Sequence, residues 1–406
     1  MGAGAGDAEK ATARGSAAEV FGAFLKLGLT AFGGPVAHLG YFRDELVARR
    51  RWIDEAGYAD LVALCQFLPG PASSQVGFAL GLLRAGPLGA IAAWSAFTLP
   101  SAMLMVLFAL GAAHFEGPVG EGLIHGLKLV AVAVVAQAVW GMARVLTPDG
   151  QRIFIAALAV GVAVLLGGAV GQVGAIVIGA AAGLVLCRVA GGPGALDWQV
   201  PVSRRAGLAC LVLFAGLLLG LPLVASQGGG LAVVEAFYRS GALVFGGGHV
   251  VLPLLEEAVV EPGWITQDAF LAGYGAAQAV PGPLFTFAAF LGMAMAPWPE
   301  GLGLALVGLV ALSVPGLLLV TGALPFWTLI RVRPRVQAAM RGANAAVVGI
   351  LAAALYDPVG TGAILAPVDL AVAAAGFALL TLWKWPPWIV VALTAASGLA
   401  LALAGG

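Results

Sequence analysis

The chain states one apolar pattern twice, and the loop inside the pattern changes the sign of its charge. The first copy runs Phe24-Leu-Lys26-Leu-Gly28-Leu-Thr-Ala-Phe32-Gly33-Gly34. The second runs Phe237-Tyr-Arg239-Ser-Gly241-Ala-Leu-Val-Phe245-Gly246-Gly247 in the same register. Further on, Trp52-Ile53 answers to Trp264-Ile265, and Gln66-Phe-Leu-Pro69-Gly70-Pro71 to Gln278-Ala-Val-Pro281-Gly282-Pro283. Gly126 and Trp140 answer to Gly342 and Tyr356. The first connector is basic (Arg43, Arg49, Arg50, Arg51) and the second is acidic (Glu256, Glu257, Glu261). Loops rich in Lys and Arg stay in the cytoplasm, so a duplicated apolar unit with this charge flip is expected to sit in a membrane in two opposite orientations.

Composition supports a bilayer as the solvent. Hydrophobic residues are 61% of the 406 and charged residues 10%, where a soluble domain carries about a quarter charged; mean hydropathy is +1.00. The expected class is an all-α polytopic membrane protein. Zero net charge gives no footing for nucleic acid. Cys65, Cys187 and Cys210 stand alone in apolar runs and read as small core residues. Residues 1–17 read as a disordered tail. No nucleotide-binding loop, zinc motif or nucleophile elbow occurs, so neither an enzyme nor a cofactor is expected.

Apolar stretches at 87–111, 123–145, 206–225, 302–330 and 362–383 are long enough to cross ~30 Å of hydrocarbon. Those at 153–168, 171–188, 342–357 and 387–404 are near the lower limit. Four others, 18–42, 56–84, 232–258 and 267–296, are each cut by FGGP, FGGG or PGP. Gly and Pro interrupt the helical ladder, and bare backbone at membrane depth is tolerated only inside protein or against water. Arg144, Arg152, Arg188, Arg204, Arg205, Arg331, Arg333, Arg335 and Arg341 mark further cytoplasmic loops. All these constraints fit if each broken segment is a re-entrant hairpin, two entering from each side, with five crossings between the repeat starts. Full spanning by some broken segments stays open as the alternative.

A half-helix starting near midplane presents free N–H groups and the positive end of its dipole. Ser73 and Ser74 follow Pro71, and Thr286 follows Pro283; their hydroxyls could join those amides. Gly33, Gly34, Gly246, Gly247 and Gly248 allow backbone to approach an ion closely. Two such pairs meeting from opposite faces would suit a tetrahedral anion; the bland alternative is that each PGP only kinks a helix. Lys26 and Arg239 are repeat equivalents in apolar sequence. They either supply positive field to the anion or snorkel to the interface. Lys128 and Asn344 correspond likewise, with His125 and Arg341 three residues before them. His38 and His249 follow the glycine turns without being equivalents, and read as proton-linked sites or polar turn residues.

These motifs, Phe32-Gly33-Gly34-Pro35, Gln66 to Pro71, Phe245-Gly246-Gly247-Gly248-His249 and Gln278 to Pro283, resemble the two signature regions of the chromate ion transporter family. The resemblance covers most of the chain, as in its long-chain, two-domain members. It divides the chain into a first repeat at 18–150, connecting helices at 151–229 and a second, inverted repeat at 230–406. It implies a multi-pass protein of the bacterial inner membrane that expels chromate by secondary transport and confers resistance. A sulfate-like anion shares the charge and shape, and an anionic lipid head group, or a membrane enzyme acting on lipid phosphate, are the other readings. The expected partners are the anion and the lipid bilayer, and a homodimer is compatible with the reading. The transport residues implied are those of the FGG and PGP motifs: Phe32, Gly33, Gly34, Gln66, Pro69, Gly70, Pro71, Gly246, Gly247, Gln278, Pro281, Gly282 and Pro283. His249, Ser73, Ser74 and Thr286 join them from the residue chemistry, and Lys26 and Arg239 from repeat equivalence.

Overall fold

The computed structural model describes residues 15–112, 117–187, 201–225, 229–245, 248–330 and 332–405, all helix, turn and loop. Gly246 and Gly247 lie outside the described residues, as do Arg188, Arg331 and most of the N-terminal tail. Ser16 caps α1 (Ala17–Thr30) by accepting from the Glu19 N–H, 3.1 Å. The chain then turns at Gly33, φ +98°, into α2 (Gly34–Phe42). Asp54 caps α3 (Glu55–Phe67), and its repeat equivalent Thr266 caps α11 (Gln267–Ala277), each taking an N–H three residues on. Short side-chain acceptors at these positions satisfy amides that a helix start leaves free.

The chain folds back at three of the four breaks and again within the helix that follows the first PGP turn. The Phe24 and Phe42 rings meet at 5.5 Å across the first break. The helix α4 (Ala72–Ala112) follows the first PGP turn and reverses at Ala85–Gly86, where φ reaches +67°. A Cβ on Gly81 would come 2.7 Å from Ala93 Cβ, so the arms on either side of the reversal lie against each other. The second repeat matches this course with α9 (Gly230–Ala242), α10 (Val251–Val259), α11, α12 (Phe287–Ala294) and α13 (Glu300–Ala323). Ser240 Oγ reaches the Leu254 carbonyl across the third break, 3.2 Å, and Tyr274 packs on Phe287 across the fourth.

Among the described residues, five segments are long and apolar enough to cross a membrane: 72–112 (of which 87–112 lies beyond the reversal), 117–146, 204–225, 300–329 and 334–363. Two sequence expectations change. The apolar stretch at 362–383 forms only α15 (Pro367–Thr381), 15 residues. The stretch judged short at 342–357 belongs to α14 (Pro334–Ala354), 21 residues, because the polar, Arg-bearing turn before Gly342 continues the helix.

The remaining helices are α5 (Gly117–Leu146), α6 (Gly150–Leu166), α7 (Gly168–Leu186), α8 (Arg204–Ala225) and α16 (Pro387–Gly405). The repeats exchange partners through them. Helices α6 and α7 pack on α14 of the second half, and α15 and α16 pack on α5 of the first. Small residues make both crossings: a Cβ on Gly342 would stand 2.7 Å from Gly183 Cα, and one on its equivalent Gly126 2.6 Å from Ala395 Cα. Backbones that touch gain dispersion contact along the whole crossing, the usual glue between helices in lipid. Cys65 and Cys187 are buried and Cys210 partly so.

At the basic connector one carboxylate gathers three cations. Glu45, 8% exposed, meets Lys26 at 2.9 Å, Arg49 at 2.9 Å and Arg50 at 2.8 Å. Burial alone would raise its pKa, but hydrogen bonds from Arg50, Lys26 and Arg49 bring it down to about 2. A depressed carboxylate stabilises the fold fully above its ordinary pKa of 4.5, and that contribution disappears as pH falls towards 2. Glu45→Gln should therefore lower thermal stability in detergent at pH 7, by on the order of 2 kcal/mol, with the gap to wild type closing below pH 4. Lys26→Gln, which leaves two cations in place, should cost much less. Equal losses from both would contradict this ranking.

Candidate substrate site at the helix breaks

The four breaks are joined crosswise in two pairs. The Gly70 N–H of the first PGP donates to the Val244 carbonyl, 2.6 Å, and the Gly282 N–H of the second PGP donates to the Ala31 carbonyl, 2.9 Å. Ala31 and Val244 are repeat equivalents just ahead of the two glycine turns. Each PGP turn thus satisfies a carbonyl that the broken helix of the other repeat leaves free. Gly70 and Gly282 have φ of +123° and +99°, a region only glycine enters at little cost. Each seats against the long helix of the opposite repeat: Gly282 on Phe97 and Ser101, Gly70 on Gly316. Ser101 and Gly316 follow the equivalent prolines Pro100 and Pro315 inside those helices.

A cavity of about 40 Å³ opens where the first glycine turn faces the second PGP turn, with Gly33, Gly34, Gln137, His249, Gln278 and Gly282 on its walls. That is room for one small ion or a few waters. No charged side chain is among its lining residues. His249 Nδ1 lies 2.8 Å from the Tyr274 hydroxyl, and Gln137 Nε2 donates to the Leu380 carbonyl at 3.2 Å. At the first PGP the space is filled instead by Gln75, fully buried, whose Nε2 donates to the carbonyls of Pro69 and Gly316. Gln66 and Gly33 are exposed at their breaks and Phe32 is partly buried.

The expected site residues therefore divide. Gly33, Gly34, His249, Gln278 and Gly282 come together around the cavity. Ser73 pairs with His38 Nδ1 at 3.4 Å, Ser74 is buried, and the Thr286 hydroxyl donates to Pro283, 2.9 Å. Pro69, Pro71, Pro281 and Pro283 shape the turns. Neither Lys26 nor Arg239 lines the cavity: Lys26 pairs with Glu45, and Arg239 lies 2.8 Å from Glu235 and 3.9 Å from Glu257. Both cations link the two arms of their own hairpin. Lys128 meets Asp268 at 2.9 Å and His125 meets Asp369 at 2.8 Å, pairs that join α5 to the second repeat. Asn344 Oδ1 is buried without a partner among the described residues. Gln137, Gln75 and Tyr274 escaped sequence reasoning. The available signal was a lone amide or phenol inside an otherwise apolar helix, which must find a polar partner.

A second cavity, about 750 Å³, is lined by Glu256, Glu257, Glu261 and Asp357 with Gln172 and Gln267. Burial, then the neighbouring Glu261, Asp357 and Glu257 carboxylates, pushes the Glu256 pKa up to about 7.

Known proteins resemble this chain in sequence over most of its length. The chromate transporter family model matches residues 18–185 and again 231–399. A chromate transport protein of Pseudomonas aeruginosa is 32% identical over 392 residues, covering 93% of this chain and 90% of its own. A probable chromate transport protein of Synechococcus elongatus is 28% identical, covering 82% of each chain. A chromate transport protein of Cupriavidus metallidurans is 27% identical, covering 82% of this chain and 80% of its own. No solved structure matches. With both halves matched by one model and relatives aligned over most of their length, this multi-pass helical chain belongs to the chromate transporter family.

Proposed function

We propose that the protein is a secondary transporter that exports a divalent tetrahedral oxyanion, chromate first, through the cavity at the crossed helix breaks. The observation that carries this is an uncharged cavity walled by glycine backbone, two glutamines and a histidine, in a chain whose relatives are chromate transport proteins. Neutral, preorganised donors hold an oxyanion without a counter-charge that would slow its release. The distribution of charge favours outward movement. Arginines crowd the connectors read as cytoplasmic, and four carboxyl groups line the large cavity beside the loops read as external. A basic entrance concentrates anions and an acidic exit discourages their return. Against a lipid-phosphate enzyme, the histidines beside the glycine turns meet no carboxylate among the described residues, His38 pairing with Ser73 and His249 with Tyr274, and His125, which pairs with Asp369, does not line the cavity.

Everted vesicles containing the protein should accumulate labelled chromate when energised, with sulfate competing. His249→Ala and Gln278→Leu should each raise KM roughly tenfold, the loss of one hydrogen bond to a charged ligand. Uptake no greater than in empty vesicles would remove chromate as the substrate. The two repeats, with α6 and α7 counted in the first, are proposed to lie inverted in the inner membrane. Cysteines introduced at Ala48 and Glu261, both exposed, in a cysteine-free background should label from the cytoplasm and from outside respectively. Labelling from one side alone would end the inverted model.

A further inference from the structure

We propose that Tyr274 is a positioning residue: it holds His249 in the tautomer that carries its single proton on Nε2, aimed at the Gly33–Gly34 turn. The inference rests on the reading of the small cavity at the breaks as the anion site. Tyr274 is fully buried on α11, and its hydroxyl lies 2.8 Å from His249 Nδ1. A hydrogen bond at this distance can run either way, because the ring nitrogens exchange donor and acceptor roles with the tautomer. The phenol decides between them. If Nδ1 donated, the buried hydroxyl proton of Tyr274 would find no acceptor among the described residues, where His249 is its one hydrogen-bond partner. The hydroxyl therefore donates, Nδ1 accepts, and the imidazole is neutral with its proton on Nε2.

The opposite nitrogen faces the site. A Cβ added to Gly34 would lie 3.9 Å from His249 Nε2, and both residues border the 40 Å³ cavity. Phe287 packs edge-on against the Tyr274 ring, 5.7 Å between centroids, and keeps the phenol from turning away. His249 thus offers a fixed, neutral N–H donor to an oxyanion. Chromate or sulfate, whose oxygens only accept hydrogen bonds, can be held without first protonating the ring. The opposite tautomer would aim a lone pair at the anion and repel it.

Two measurements test this. In protein labelled with 15N-histidine, only four histidines contribute, and the signals absent from His249→Gln belong to His249. They should show an unprotonated Nδ1 and a protonated Nε2. The opposite tautomer, or an imidazolium, at neutral pH overturns the proposal without bearing on whether the cavity binds an anion. The second measurement is chromate KM in vesicles. His249→Gln, whose amide places an N–H near the former Nε2 and needs no tautomer, should stay within about threefold of wild type, while His249→Ala weakens binding roughly tenfold. Tyr274→Phe should weaken binding several-fold with His249 present and have no further effect in the His249→Gln background. A Tyr274→Phe loss that persists undiminished in that background would mean the phenol only packs, and would refute the positioning role. Wild-type KM in His249→Ala would sink the anion-site reading, and with it the functional half of the proposal, whatever tautomer the spectrum shows.

Discussion

Gly282→Ala should abolish measurable transport. The residue sits at φ +99°, where a side chain costs about 1–2 kcal/mol. Its new Cβ would stand 2.8 Å from Ser101 Oγ and 3.2 Å from the Phe97 carbonyl. Ser101 can rotate, but the Phe97 carbonyl is helix backbone and cannot, so the turn itself must shift. That shift breaks the bond from the Gly282 N–H to the Ala31 carbonyl and moves one wall of the cavity. Together the terms reach on the order of 3 kcal/mol, or at least a hundredfold in activity. Adding Ser101→Gly, the residue type that the second repeat carries at the equivalent Gly316, should restore part of the loss by clearing space. Gly161→Ala, where a Cβ meets nothing within 4 Å, should be silent. Uptake by everted vesicles, normalised to protein abundance, decides the matter; a Gly282→Ala protein working at the wild-type rate would show that the crosswise bonds do not position the site.

The second large effect falls on folding. Gly342→Val and Gly126→Val should each deplete folded protein, because both glycines sit where the exchanged helices touch backbone to backbone. A valine there forces α14 away from α7, or α5 away from α16, along a crossing that carries much of the contact between repeats. Overpacking at a site that cannot yield costs about 1–3 kcal/mol, more where both partners are helix backbone. Gly141→Val on α5 and Gly161→Val on α6, both facing open space, are the matched controls. Size-exclusion profiles and thermal unfolding in mild detergent should separate the two pairs. Identical profiles for all four would mean that the exchanged packing does not hold the halves together.

Much of this architecture was legible in the chain. The four breaks at Gly33, Gly70, Gly248 and Gly282 were visible because Gly and Pro disrupt a helix locally, whatever surrounds them. Asp54 and Thr266, which escaped sequence reasoning, cap helix starts by equally local chemistry. The expectation for Lys26 and Arg239 fared differently. Their repeat equivalence was plain, but their partners Glu45 and Glu257 lie on the far arm of each hairpin, whose position relative to them depends on how the hairpin closes. Gln75 and Gln137 illustrate the same limit: each is one amide in an apolar helix, and only the neighbouring turn decides that the first fills its pocket and the second borders one.

The sequence by itself therefore determined the helical membrane class, the duplication, the positions of the broken helices and the family. Those properties reside in composition, period and backbone chemistry within a few residues. Tertiary structure alone decided that the PGP turns bond across the repeats, that α6 with α7 and α15 with α16 change places, and that the small cavity at the breaks is walled by both halves. Those outcomes join residues about two hundred positions apart. They are set by which backbones can approach closely and which free carbonyls find an N–H, and a linear pattern carries neither.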